Sequence, residues 1–193
     1  ILRGLVGSEM CIRDSVKANI LRPLGMKNTS FSINDLSADA LVPLSLRDDD
    51  GNLSDVSELM PNVTDGPYLG GGGLYSNVGD YMKFMRMVLQ NGQGPDSEIL
   101  PSGMVRDMFA NQIGDMQVGY MPSQNPMLAK SHGWFEDNSM KWGYGFMVNE
   151  TEVAGRRSAG AGAWSGLYNT FFSVDPARGT ACVIMMQMLP VYN

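Results

Sequence analysis

The sequence contains too few cysteines and histidines to build the common disulfide and metal sites. Its 193 residues include two cysteines, Cys11 and Cys182, and one histidine, His132. Two cysteines do not make a disulfide framework, and with one histidine they leave a four-ligand zinc site incomplete. The sequence therefore predicts no metal ion.

Clustered positive charge and long apolar runs are also missing. The chain has 14 lysines and arginines against 20 aspartates and glutamates, which gives a net charge of −6. Nucleic acids and anionic membranes attract clustered lysines and arginines, so we expect neither as a partner. The longest apolar run, Ala181–Met186, is strand-sized and far shorter than the roughly 18 residues of a membrane-spanning helix. We therefore expect no membrane span.

The amino-terminal stretch Ile1–Ser15 differs in character from the rest of the chain. It shows no helical or strand period, and it lacks the basic start, apolar centre and small-residue cleavage site of a secretory signal. The run LVGSEMCIRDS resembles translated sequencing-adapter read-through. We therefore expect residues 1–15 to be an artefact and residues 16–193 to be an incomplete domain. A genuine helix remnant is the alternative.

The strongest helical pattern follows a glycine run, Gly70–Gly73. Asn77 has the side chain of a helix N-cap, Asp80 stands at the third helical position, and Asn91-Gly92 marks the end. The apolar positions between them recur at helical spacing and are expected to face the core: Tyr81, Phe84, Met85, Val88 and Leu89. These residues predict one amphipathic helix.

A second helix and three strands are predicted after it. The helix covers about Ser102–Asn111 and has an expected inward face of Met104, Val105, Met108 and Phe109. Aromatic and β-branched residues indicate strands over Trp142–Val148, Tyr168–Val174 and Thr180–Met188, and the turn Asp175–Gly179 joins the last two as a hairpin. Helices followed by adjacent antiparallel strands indicate the α+β class.

An acidic segment before the first helix, Asp48–Asn52, predicts a tight turn between two short extended pieces. Its glycine stands at the fourth position instead of the sixth that a calcium loop requires, and no glutamate follows at the twelfth. A hairpin tip in solvent is the better interpretation.

Four segments resemble, in this order, the carboxy-terminal half of the β-lactamase-related serine hydrolases. That group includes class C β-lactamases, family VIII esterases and D-amino-acid peptidases. The segments are Pro23–Phe31, Gly70–Asp80 with its helix, Trp142–Phe146 and Trp164–Pro176, and they extend over residues 16–193. The resemblance implies a partial β-lactamase/transpeptidase-like fold and hydrolysis through an acyl-enzyme, without a metal or a cofactor.

Two signatures of that group are absent from the sequence. No serine has a lysine three residues later, as the nucleophile's Ser-x-x-Lys motif requires. The triplet Tyr75-Ser76-Asn77 resembles the catalytic Tyr-x-Asn motif but follows the Pro-Leu-Gly-Met segment, whereas the family's motif precedes it. We interpret Asn77 as a helix cap and Tyr75 as a packed or cleft-lining aromatic. We therefore expect the chain alone to be catalytically inactive.

The third signature is present in altered form. Trp164-Ser165-Gly166 takes the place of the family's Lys-Thr-Gly or Trp-Gly-Gly, and the resemblance makes the N–H of Leu167 an oxyanion donor. Trp164, Ser165, Gly166 and Tyr75 would contact the substrate. Tryptophan in the lysine's place removes a cation and favours uncharged esters, although amides and β-lactams stay possible, as substrates of a peptidase or a β-lactamase. The expected partner is a small-molecule ester or amide.

The remaining candidates favour no other catalytic machinery. His132 has no Gly-x-Ser-x-Gly nucleophile to serve, so we interpret it as a loop histidine, and Asp175 as a turn residue. The expected function is that of part of a serine hydrolase. The alternative is a naturally short, non-catalytic relative that binds a ligand or a partner. Periplasmic and cytoplasmic locations both fit the sequence.

Overall fold

The computed structural model describes residues 12–60, 71–135 and 139–192. These residues contain two α-helices longer than two turns, Val78–Leu89 and Ser102–Phe109, and eight strands in two sheets. The helices come before most of the strands and the larger sheet is antiparallel, so the predicted α+β class is confirmed. Much of Ile1–Ser15, together with Gly70, lies outside the described residues.

The acidic turn is confirmed as a hairpin tip. Strands β1, Ser45–Arg47, and β2, Leu53–Asp55, pair in antiparallel fashion on either side of it. The Asp48 carboxylate accepts hydrogen bonds from the backbone N–H groups of Asp50 and Asn52, at 3.0 and 2.8 Å. The aspartate side chain therefore closes the turn together with the backbone bond from the Asp48 N–H to the Asn52 carbonyl.

A five-stranded antiparallel sheet carries the second half of the chain. Its strands follow one another in chain order: β3, Met140–Trp142; β4, Met147–Asn149; β5, Gly162–Gly166; β6, Thr170–Asp175; and β7, Thr180–Ile184. After β7 the chain leaves this sheet, and a last short strand, β8, Met188–Leu189, pairs in parallel with β1. The smaller sheet therefore contains β2, β1 and β8.

Three strand predictions need correction. The run Trp142–Val148 is not one strand, because the chain turns back within it: the Gly143 N–H bonds the Phe146 carbonyl at 2.8 Å, and Gly145 has φ +82°. The run Thr180–Met188 divides between β7 and β8. The strand predicted over Tyr168–Val174 begins only at Thr170, since Asn169 takes a positive φ in the preceding turn.

The Val78–Leu89 helix packs across β6 and β7. Of the predicted inward residues, Met85 and Val88 are buried and the other three are partly buried against the same core. Val105 is also buried and Phe109 partly buried there, but Met104 is 54% exposed, so its predicted inward position is wrong. The helix that carries Met104 ends at Phe109 because Ala110 takes an extended backbone.

The first turn of the long helix is fixed by side chains. The Asp80 N–H donates to the Asn77 side-chain oxygen at 2.8 Å, which confirms the predicted cap. The Asp80 carboxylate, only 3% exposed, accepts from the Asn28 N–H at 2.7 Å and from the Thr29 hydroxyl at 3.1 Å. Lys83 donates to the same carboxylate at 2.7 Å. Asp80 thus joins the Pro23–Phe31 segment to the helix.

We expect Asn77→Ala to lower the free energy of unfolding by about 1 kcal/mol, because the Asp80 N–H loses its capping acceptor. Urea unfolding followed by circular dichroism measures the change. Asn77→Asp, which keeps a capping oxygen, serves as the control and is expected to stay close to the parent protein. A loss of the same size in both variants would contradict the capping role.

Candidate functional site

The carboxyl-terminal half of β5 has a free side. Gly162 and Ala163 pair with β4 as well as with β6, but within the described part of the chain Trp164, Ser165 and Gly166 pair with β6 alone. Strand β4 ends its pairing at Met147, because the Gly143–Phe146 turn takes the chain away. The predicted site residues therefore lie where the sheet offers an open edge to a ligand.

The turn after β5 presents a backbone donor. The Asn169 N–H bonds the Gly166 carbonyl at 3.2 Å, which makes Leu167 the second residue of a four-residue turn. Leu167 is 46% exposed, and its own N–H has no hydrogen bond to any residue that the structure describes. Asn169, with φ +61°, completes the turn before β6. A free N–H at an open strand end is suited to bind a carbonyl oxygen or an oxyanion.

Asn169 also holds a distant segment beside this turn. Its side-chain nitrogen donates to the carbonyls of Met188 and Pro190, at 3.0 and 2.9 Å, and its oxygen accepts from the Tyr192 N–H at 3.0 Å. The amide thus makes three bonds while 3% exposed. Sequence reasoning missed Asn169 and placed it inside the predicted strand Tyr168–Val174, although asparagine is enriched among residues with positive φ.

Tyr192 covers Ser165. The two hydroxyls are hydrogen-bonded, and the Tyr192 ring stacks on the His132 imidazole with centroids 3.5 Å apart. Burial raises the pKa of the Tyr192 phenol, and the bond to Ser165 acts in the opposite direction. His132 therefore takes part in an aromatic stack, a role that no local sequence signal indicated. At neutral pH the Tyr192 phenol is uncharged and can donate or accept a hydrogen bond.

Tryptophan side chains form the wall next to the strand. Trp164 meets Trp142 edge to face at 4.6 Å and Trp134 in a stacked arrangement at 6.3 Å, so all three tryptophans of the chain gather here. Trp134 also meets Tyr192 at 5.8 Å. Trp164 is therefore part of an aromatic cluster that extends from β5 to the loop around residue 134. Such a surface is suited to a flat or apolar ligand.

Tyr75 pairs with the Pro23–Phe31 segment and interacts electrostatically with Tyr168. Its backbone pairs with Ser30 in both directions, at 2.8 and 3.1 Å, and its half-buried phenol has a pKa raised by burial. Burial and the neighbouring Tyr75 both raise the pKa of Tyr168, the residue after Leu167. Tyr75 is thus within electrostatic range of Tyr168, while Asn77 of the same triplet caps the helix.

Asp175 stands at the opposite end of β6 and serves the turn there. Its carboxylate accepts the N–H groups of Ser158 and Arg178, at 2.9 and 3.1 Å. Burial opposes ionisation, but these bonds hold its pKa below the usual value. Asp175 is therefore remote from the Leu167 N–H, as expected of a turn residue.

Other kinds of site are not evident in the described part of the chain. No group of three residues there could hold a metal ion, and no helix there is both long and apolar enough to cross a bilayer. A cavity of about 390 Å³ lies between Lys17 and Asp35, but none of its lining residues belongs to the site around β5.

The family model described as Beta-lactamase matches residues 2–191. Protein Rv1367c of Mycobacterium tuberculosis is 27% identical, over 91% of this chain and 43% of its own length. The chain thus spans less than half of that relative. The match to the family model includes most of residues 1–15, whose origin as an artefact stays a prediction.

Solved structures of the same fold have low sequence identity. A mutant of simvastatin synthase (LovD) from Aspergillus terreus is 20% identical with a TM-score of 0.73, over 93% of this chain and 45% of that one. EstCE1, described as a hydrolase with promiscuous acyltransferase activity, is 17% identical with a TM-score of 0.65, over 92% and 46%. These likenesses confirm the predicted β-lactamase/transpeptidase-like fold. With a family model matched along nearly its whole length, this chain belongs to the β-lactamase family.

Proposed function

We propose that the chain forms one wall of the acyl-transfer site of an esterase-like serine hydrolase. The proposal rests on Leu167, an exposed residue at the open end of β5 whose N–H bonds to no residue that the structure describes. In this role the N–H donates to the carbonyl oxygen of an ester and binds it more strongly as negative charge develops on that oxygen. Leu167 is then a catalytic residue through its backbone.

The residues around Leu167 would hold the substrate. Trp164 offers an aromatic face, and Ser165 with its bonded Tyr192 offers a hydroxyl pair that can accept or donate a hydrogen bond. Gly166 has no side chain to block the approach to the strand edge, and it is exposed. Tyr75 would close the site beside the turn. An apolar ester or amide of small size fits these contacts.

The nucleophile would come from residues outside this 193-residue chain. No serine of the chain is followed by lysine at the third position, and the relative Rv1367c is more than twice as long as the matched part. A serine, activated by its lysine, would attack the carbonyl held at Leu167 to form an acyl-enzyme, and water would then release the acid. The amine or alcohol leaves in the first step.

The test compares the 193-residue chain with a longer protein that adds an upstream Ser-x-x-Lys segment. We expect the longer protein to hydrolyse a nitrophenyl ester and to lose activity with a serine-directed phosphonate, and we expect the short chain to show neither effect. Turnover by the short chain, with the phosphonate on one of its own serines, would refute the external nucleophile. A longer protein that binds esters without cleaving them would favour the non-catalytic relative.

A further inference from the structure

Arg157, beside the tryptophan wall, has two buried nitrogens without a hydrogen-bond acceptor among the described residues. Its guanidinium lies over the Phe135 ring at 4.7 Å and over the Trp134 ring at 5.9 Å. The Nε and Nη2 atoms are buried, and neither bonds to any residue that the structure describes. Ring faces attract the charge of a guanidinium but give in-plane N–H groups no lone pair.

Such an arrangement is costly unless something accepts those protons. A buried charged donor without an acceptor loses hydration that no protein bond replaces. Asp175 attracts the guanidinium, which opposes the lowering of the Arg157 pKa by burial, but its two oxygens already accept the N–H groups of Ser158 and Arg178. The described residues therefore place a negative charge near Arg157 but give its Nε and Nη2 atoms no hydrogen-bond acceptor.

The positions of the two nitrogens, Nε and Nη2, indicate which kind of chemical group could accept their hydrogen bonds. Nε and Nη2 carry the two N–H groups on one side of the guanidinium, which point in parallel and match the two oxygens of a carboxylate. The Trp134 Nε1 atom is also buried and without an acceptor among the described residues. Three donors without acceptors, set among aromatic rings, would suit a carboxylate attached to an apolar body.

We propose that Arg157 and Trp134 form a carboxylate-binding subsite that recognises the acidic end of a ligand whose apolar body lies along the tryptophan wall. Trp134 contacts both Arg157 and Trp164, at 5.9 and 6.3 Å, so one ligand can reach from the guanidinium to β5. Trp164 precedes Leu167 by three residues, or roughly 10 Å of strand. If the proposed hydrolase function holds, this ligand is its substrate, an ester or amide with a carboxylate remote from the bond that is cleaved.

The neighbouring arginine provides a matched control. Arg156 also lies over the Phe135 ring, at 5.4 Å, but it is exposed and has no buried nitrogen without an acceptor. Arg156 and Arg157 are neighbours in sequence and both lie over the Phe135 ring. Arg156→Gln and Arg157→Gln therefore each remove one positive charge beside that ring. Only Arg157→Gln removes a side-on pair of donors that is buried.

Binding of cyclohexanecarboxylate and cyclohexanecarboxamide to the 193-residue protein tests the subsite. Calorimetry gives the affinities, and tryptophan fluorescence reports on the cluster because all three tryptophans belong to it. We expect the carboxylate to bind about tenfold more tightly than the amide in the parent and in Arg156→Gln. In Arg157→Gln the two ligands should bind alike, while the weak amide affinity remains.

A lysine variant keeps the test decisive if the glutamine variant does not fold. Arg157→Lys retains the charge but not the paired donors, so the preference should fall severalfold, and near-UV circular dichroism shows whether the aromatic cluster is intact. Equal binding of acid and amide by the parent would refute the subsite. So would a preference that survives Arg157→Gln, or one that Arg156→Gln abolishes equally. Because no turnover is measured, the result is independent of Leu167 and of the nucleophile.

Discussion

Leu167→Pro is expected to lower kcat for a nitrophenyl ester about 100-fold or more in the longer protein that carries the nucleophile. Loss of one oxyanion donor typically costs an enzyme this much, because the donor binds the transition state more strongly than the substrate. Proline removes the N–H together with the leucine side chain. KM should change little, since the uncharged carbonyl of the substrate gains less from that bond. Steady-state kinetics separate the two constants.

The turn at Leu167 makes this substitution unusually specific. Leu167 is the second residue of its four-residue turn, the position at which proline is favoured. The residue before it is Gly166, which tolerates the backbone restriction that a following proline imposes. The Leu167 N–H has no partner in the described structure, so proline breaks no bond of the fold.

Leu167→Ala is the control for the lost side chain. It keeps the N–H and removes the exposed leucine, so kcat should stay within a few-fold of the parent protein. Circular dichroism of both variants shows whether β5 and β6 remain paired. Equal activity of Leu167→Pro and Leu167→Ala would show that the Leu167 N–H is not an oxyanion donor. That result would say nothing against the carboxylate subsite at Arg157.

Helices were easier to predict from the sequence than strands, and the reason is physical. The apolar residues from Tyr81 to Leu89 recur at helical spacing after the cap Asn77, and this pattern fits only a helix. The structure contains that helix. Trp142–Val148 has the composition of a strand, yet its middle forms a turn in which Gly143 lies against the preceding helix. A Cβ on Gly143 would stand 1.9 Å from the Met108 carbonyl oxygen. Aromatic and β-branched residues suit a half-buried surface whether or not the chain continues straight.

The residues of the site also differ in how far their roles depend on contacts between distant parts of the chain. Trp164 to Leu167 are neighbours in sequence, so a resemblance to a known motif was enough to single them out. Tyr192, Asn169 and Arg157 gain their roles from contacts between separated segments. In the sequence Arg156 and Arg157 look alike, and only the packing of the loop around Trp134 makes one exposed and the other a buried donor.

Asp80→Asn is expected to lower the free energy of unfolding by about 2–3 kcal/mol at pH 7, since hydrogen bonds to a buried carboxylate are stronger than neutral ones. The carboxylate bonds Asn28, Thr29 and Lys83, and it fixes the Pro23–Phe31 segment to the long helix. Lys83 is 45% exposed, so its share is the smaller one. Asparagine keeps the shape of the side chain and one acceptor oxygen. The variant therefore creates no cavity that could account for the loss of stability.

The pH dependence of that loss identifies its origin. Burial opposes ionisation of Asp80, but the bonds from Lys83, Asn28 and Thr29 outweigh it, so the folded-state pKa lies below the ordinary value of 3.8. A lowered pKa gives stability that is fully present above the unfolded value and is lost as the pH falls through the folded one. Urea unfolding should therefore show a constant gap between the parent and Asp80→Asn from pH 7 to about 5, and a shrinking gap below about 4. Asp107→Asn, which changes an exposed aspartate of the Ser102–Phe109 helix, should give almost no gap at any pH. A gap for Asp80→Asn that stays constant down to pH 3 would show that the loss does not come from the charge of the carboxylate.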